Sequence, residues 1–232
     1  MQPDDELSER RRAARVAGMV YLLVVLSGMF SIAYVPGQVT VRGDAAATLQ
    51  RVAEHAMLYR WGILAGFICS TAFLLLPLAL LRVFAEQDLR LTALMVALAA
   101  VSVPIAFANA FHRLDLLALS AAPATLTPPV TAGLAWQAIA GEANGILVSK
   151  IFWGLWLIPF GLLVLRSAVI PRTLGVLLVI GGVSYVVDVV CRTLIPEFRA
   201  FPIAGFVTMP ASLAELSTCG WLLLGPIGSR RA

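Results

Sequence analysis

Charge is scarce in this sequence: only 13% of its 232 residues are Asp, Glu, Lys or Arg. That is about half of what a soluble domain of this size uses to cover its surface. Histidine occurs only at His55 and His112, which excludes a three-histidine zinc site. The three cysteines, Cys69, Cys191 and Cys219, lie inside or at the edge of apolar runs with no C-x-x-C spacing. They fit neither a disulfide framework nor a metal site and read as small apolar fillers. No G-x-G-x-x-G, Walker A, G-x-S-x-G or H-E-x-x-H pattern is present, so no cofactor and no metal is expected. The net charge is +4, yet the basic residues sit at the ends of apolar runs without interleaved aromatics, which argues against a nucleic-acid partner.

What the sequence has in abundance is hydrocarbon, with 60% hydrophobic residues gathered in long runs. Runs of about 18 or more are transmembrane candidates. The fold class is therefore all-α, a polytopic bundle of six transmembrane helices. "VAGMVYLLVVLSGMFSIAYV" (16–35) is the first span, too long for a signal-peptide core and followed by no A-x-A-like cleavage site. The others are expected at 61–83, 91–112, 134–166, 173–194 and 203–224. Between the first two, Asp44 is a fair N-cap, and Leu49, Val52, Ala53 and Met57 recur at helical spacing. A short amphipathic helix at the membrane interface is expected there. One membrane domain (16–225) would lie between a basic N-terminal segment (1–15) and a short tail (226–232).

Basic residues near span ends set the orientation. With the N-terminus inside, that side holds Arg10, Arg11, Arg12, Arg15, Arg82, Arg90, Arg166, Arg172, Arg230 and Arg231. The other side holds Arg42, Arg51, Arg60, Arg113, Arg192 and Arg199. Ten against six places both termini in the cytoplasm. On that topology "FANAFHRLDLL" (107–117) closes the third span, with Asn109, His112, Arg113 and Asp115 at its outer end. Glu142 and Asn144 fall at the outer mouth of the fourth span, with Lys150 deeper. Asp188 lies in the outer third of the fifth, with Arg192 near the surface, and Glu215 near the middle of the sixth.

A charge at the bilayer centre costs roughly 2.5–3.5 kcal/mol unless paired or hydrated. These groups are therefore expected to face inward and gather in one polar pocket in the outer half of the bilayer. Asn109 with His112, His112 with Asp115, and Asp188 with Arg192 have same-face helical spacing. Glu142 and Lys150 share a similar face. Glu215 has no base on its own helix and needs a partner from another helix, a water or a proton. Arg113 and Arg192 are expected as structural charges that snorkel to the interface. Pro77, Pro104, Pro159 and Pro210 fall inside spans, where membrane helices tolerate them. Trp153 and Trp156 of "FWGLWLIPFG" read as packing or lipid-facing residues.

The segments "ARVAGMVYLLVVLSGMF", "VPGQVTVRGDAAAT", "VSVPIAFAN", "GILVSKIFWGLWLIPFGLLV", "PRTLGVLLVIGGVSYVVD" and "PASLAELS" are spread along the chain from about residue 14 to 224. The whole arrangement resembles a bacterial membrane-protein family known as domain of unknown function 4386. "IFWGLWLIPFG" followed by P-x-x-L-G-x-L is its most specific part. The resemblance implies a multi-span protein of the bacterial inner membrane and supplies no catalytic residue.

The leading functional expectation is a binding or transport component for a small molecule, lipid or ion, partnered by the bilayer. Glu215 and Asp188 would be its proton- or cation-sensitive groups and Lys150 the counter-charge. The alternatives are an intramembrane enzyme, with His112 and Asp115 as an acid–base pair at a lipid head group, and a scaffold whose polar residues only join helices.

Overall fold

A computed structural model describes residues 3–84, 87–121, 127–167 and 169–226. The described part is helical, with no strand. In chain order it contains α1 (Pro3–Gly28), a π-helical segment (Met29–Tyr34), α2 (Val35–Val39), α3 (Ala45–Glu54), α4 (Ala56–Phe84) and α5 (Leu89–Ser120). Then follow α6 (Pro128–Arg166), α7 (Arg172–Leu194), two 3-10 turns (Phe198–Ala200 and Pro202–Gly205) and α8 (Met209–Leu224). Six stretches are long and apolar enough to cross a membrane: 8–39, 56–84, 89–120, 128–166, 172–194 and 202–224. Of the expected tail at 226–232, residues 227–232, with Arg230 and Arg231, lie outside the described residues.

Why hydrocarbon suits these helices is visible on α7. Val176, Ile180, Val183, Val187 and Val190 form an exposed stripe at alternating four- and three-residue spacing. The other side buries Gly175, Leu178, Gly181, Gly182 and Asp188. Water would penalise such an exposed apolar stripe, whereas lipid accepts it.

Several ends differ from the sequence expectation. The third span does not stop at His112; α5 continues to Ser120 because Leu114, Leu116, Leu117 and Leu119 sustain the helix. α6 starts at Pro128, six residues before the expected start. Prolines are accommodated in a first helical turn, where the missing N–H has no intrahelical partner anyway. Pro210 sits at the start of α8 for the same reason, so it kinks nothing. Pro77, Pro104 and Pro159 are inside their helices as expected. Asp44 does cap α3, accepting the Ala47 N–H at 2.8 Å, and α3 buries Thr48 and Val52. Met57 belongs to the next helix, beyond the break at His55.

The chain forms two compact units. The first comprises residues 1–22, 72–103 and 148–232; the second comprises 23–71 and 104–147. In the first, α6 and α7 run antiparallel over paired glycines. A Cβ on Gly154 would come within 2.6 Å of the Gly182 carbonyl oxygen, and one on Gly161 within 2.7 Å of the Gly175 oxygen. Seven-residue spacing on both helices puts these glycines on one seam, where small residues let membrane helices approach. Trp156 fills the core beside them, fully buried, its ring edge-on to Phe73 at 5.1 Å and stacked on Phe160 at 5.4 Å.

The second unit has its own apolar core of Val35, Val39, Val52, Tyr59, Ile63, Leu116, Ala135 and Ala138. Here α6 presents "GEANG" to α5. A Cβ on Gly141 would strike the His112 ring, and one on Gly145 would strike the Asn109 amide.

Candidate functional site: two polar cores

Each unit holds a polar core. In the second, the π-helical segment is the starting point. Its wider turn directs the Val35 N–H to the Phe30 carbonyl, five residues back. In that register the Ser31 carbonyl would need the N–H of residue 36, which is a proline and has none. The orphaned carbonyl is taken by Arg113, whose Nη2 donates to it at 2.9 Å while Nη1 donates to Ser31 Oγ at 2.7 Å. Arg113 Nε donates to Glu142 Oε1, and Asn109 Nδ2 donates to the Glu142 carbonyl at 3.1 Å. Tyr59, 4% exposed, lies in the field of Glu142 and Arg113, and its hydroxyl has no hydrogen-bond partner among the described residues. Buried π-helical turns are frequent at functional positions. This one has an evident structural job: it docks the first span onto α5.

Arg113 therefore does not snorkel. It is 8% exposed and ion-paired. Of the expected site residues, Asn109, His112 and Glu142 lie in this core. Asp115 and Asn144 are exposed on their helices and do not join it. No hydrogen bond links His112 to Asp115; His112 lies on Gly141 instead. Glu142 takes Arg113, not Lys150, as its ionic partner. Ser31 and Tyr59 were missed by sequence reasoning. The signal for Ser31 was present as a proline five residues downstream of a buried polar residue.

In the first unit, Lys150 Nζ donates to Asp188 Oδ2 at 2.8 Å and Arg192 Nε donates to Oδ1 at 2.7 Å. The second contact is the expected i,i+4 pair. Two bases thus share one fully buried carboxylate. Arg192 is held further by Nη2 to the Ala204 carbonyl at 3.2 Å, and its guanidinium lies 6.0 Å above the Phe198 ring. One helical turn before Asp188, Tyr185 turns its hydroxyl to Glu215 Oε2 at 3.3 Å. Glu215 has no ion-pair partner among the described residues. Tyr21 from α1 turns its buried hydroxyl toward the same carboxyl, with its ring edge-on to Trp156 at 6.4 Å. Trp156 Nε1 and Thr218 Oγ1, the latter one turn beyond Glu215, are buried without hydrogen-bond partners among the described residues. Among the described residues, no three His, Cys, Asp or Glu side chains come together to hold a metal ion.

Six long apolar helices enclosing polar cores define a multi-pass helical membrane protein. The family profile described as Domain of unknown function (DUF4386) matches residues 16–225, and the chain belongs to that family. No curated protein and no solved structure matches it.

Proposed function

We propose that the protein is a membrane-embedded binding or transport component for a small molecule, lipid or ion, taken at the polar core of the first unit. The observation that carries this reading is Glu215: a carboxyl set in a membrane span, held by Tyr185 and opposed by no base. A helix needed only for packing has no use for such a group, because an unpaired charge in hydrocarbon is expensive. The unmatched polar atoms of Trp156 and Thr218 support the same reading, since buried polar groups ordinarily find partners. Asp188 and Lys150 complete the ionic lining. The second unit's Arg113–Glu142 core reads as architecture, because Arg113 spends its contacts on a broken helix ladder.

On the arginine-based orientation, both termini face the cytoplasm of a bacterial inner membrane and the polar groups lie toward its outer half. The enzyme reading, built on His112 and Asp115, draws no support from their separation. The test uses purified protein in liposomes. Solutes that raise the unfolding temperature or cross the membrane with wild type should act on Glu215→Gln with an altered dependence on pH, and an unchanged dependence would count against this site. If no solute acts on either protein, a scaffold role replaces this reading.

A further inference from the structure

We infer that the ligand of this core is an anionic group, bound by Lys150 and Arg192 and accompanied by a proton taken up on Glu215. This rests on the binding-site reading above and names the class of ligand. The first argument is a count of donors and acceptors. Both oxygens of Asp188 are engaged, one by each base. Lys150 has three N–H donors and Arg192 five. Lys150 uses one in its bond to Asp188; Arg192 uses one there and one on the Ala204 carbonyl. The cluster is therefore rich in donors, and both oxygens of its own acceptor are already engaged.

The second argument is charge. Two cations and one carboxylate leave a surplus of +1, in surroundings where an uncompensated charge is costly. The side chains of Lys150 and Arg192 are 19% and 20% exposed, whereas Asp188 is sealed in. The surplus donors can thus meet a ligand while the acid cannot. Hydrogen bonding and charge both select an anion: a carboxylate, a sulfate-like oxyanion or a lipid phosphodiester.

Glu215 supplies the proton site. Counted together, Lys150, Arg192, Asp188 and an ionised Glu215 sum to zero. An arriving monovalent anion makes the sum −1, and a proton on Glu215 restores it to zero. The ionisable groups around Glu215 are Tyr21 from α1, Tyr185 from α7 and Cys219 on its own helix; α6 contributes Trp156, which does not titrate. None of these is a base able to neutralise Glu215 in place of the proton. Tyr185 connects the two parts, touching Glu215 through its hydroxyl and standing one turn from Asp188.

The experiment measures thermal unfolding of the full chain in detergent, against a baseline of sodium chloride at fixed ionic strength. In separate arms chloride is exchanged for acetate or sulfate, and sodium for choline. A further arm compares nanodiscs of phosphatidylglycerol with nanodiscs of phosphatidylcholine. Acetate or sulfate should stabilise the protein, with an affinity for acetate that rises by up to about tenfold for each unit of falling pH, as uptake of one proton requires. Stabilisation by phosphatidylglycerol alone identifies the anion as a lipid phosphodiester whose charge no headgroup cation cancels, as choline does in phosphatidylcholine. Lys150→Met keeps a neutral Asp188–Arg192 pair, so it should fold and lose the anion effect. Glu215→Gln, mimicking the protonated acid, should bind the anion with no pH slope. Stabilisation by choline but by no anion overturns this inference and leaves the binding site standing. An anion effect that survives Lys150→Met, or a pH slope that survives Glu215→Gln, overturns it too. Silence in every arm removes both the inference and the site.

Discussion

Arg113 and Ser31, 82 positions apart in the chain, are joined by two hydrogen bonds in which the guanidinium replaces a backbone donor that Pro36 cannot provide. The first span keeps its unusual turn because a side chain on another helix completes its ladder. Removing that side chain should be expensive. Arg113→Met leaves the Ser31 carbonyl unmatched and Glu142 without its base. A loss of about 3–5 kcal/mol is the scale for breaking a buried ion pair from one side. Chemical or thermal unfolding in detergent measures it, and Arg113→Met with Glu142→Gln should cost less than the sum of the two single changes.

Pro36→Ala gives residue 36 an N–H that the Ser31 carbonyl can accept in the π register. In that background Arg113→Met should be less damaging than in wild type. A double-mutant cycle reads the coupling, expected at about 0.5–3 kcal/mol for residues sharing one network. Strict additivity would mean that the proline does not create Arg113's role.

The glycine seam of α6 and α7 should resist enlargement. Gly154→Ala and Gly182→Ala each place a methyl against a carbonyl oxygen of the facing helix. Each should cost about 1–3 kcal/mol, as overpacking does elsewhere. Gly220→Ala, where a Cβ meets nothing within 4 Å, is the matched control and should be close to neutral in the same melt.

Asp188→Asn and Lys150→Met should differ in a defined direction. The first strands two bases around a neutral amide; the second leaves Asp188 still paired with Arg192. Asp188→Asn should therefore be the more destabilising, by several kcal/mol on the scale of stranded buried charges. Equal melting temperatures would contradict the shared-carboxylate description.

At the end of α8, Arg15 donates to the carbonyls of Leu222 at 3.1 Å and Gly225 at 3.2 Å. The last carbonyls of a helix have no internal donor, and a cation there also meets the negative end of the helix dipole. Arg15→Ala should loosen α8 by about 1 kcal/mol, seen as faster amide exchange at its C-terminal turn. Lysine at this position should recover only part of the loss, because it cannot fork to two carbonyls.

The sequence alone determined the six spans, because long apolar runs have one physical outlet and length decides whether they cross a bilayer. It also determined the Asp44 cap and the Asp188–Arg192 pair, which depend only on neighbours within a turn. Helix ends were less legible, since α5 and α6 extend on residues that carry no stop signal. Only tertiary structure decided which base meets which acid. Glu142 and Lys150 share a helix, but Arg113 from α5 reaches Glu142 and Asp188 from α7 reaches Lys150. Helical spacing fixes the face a side chain occupies, whereas its partner depends on which helix packs there, and that is set by glycine seams and broken ladders spread along the chain.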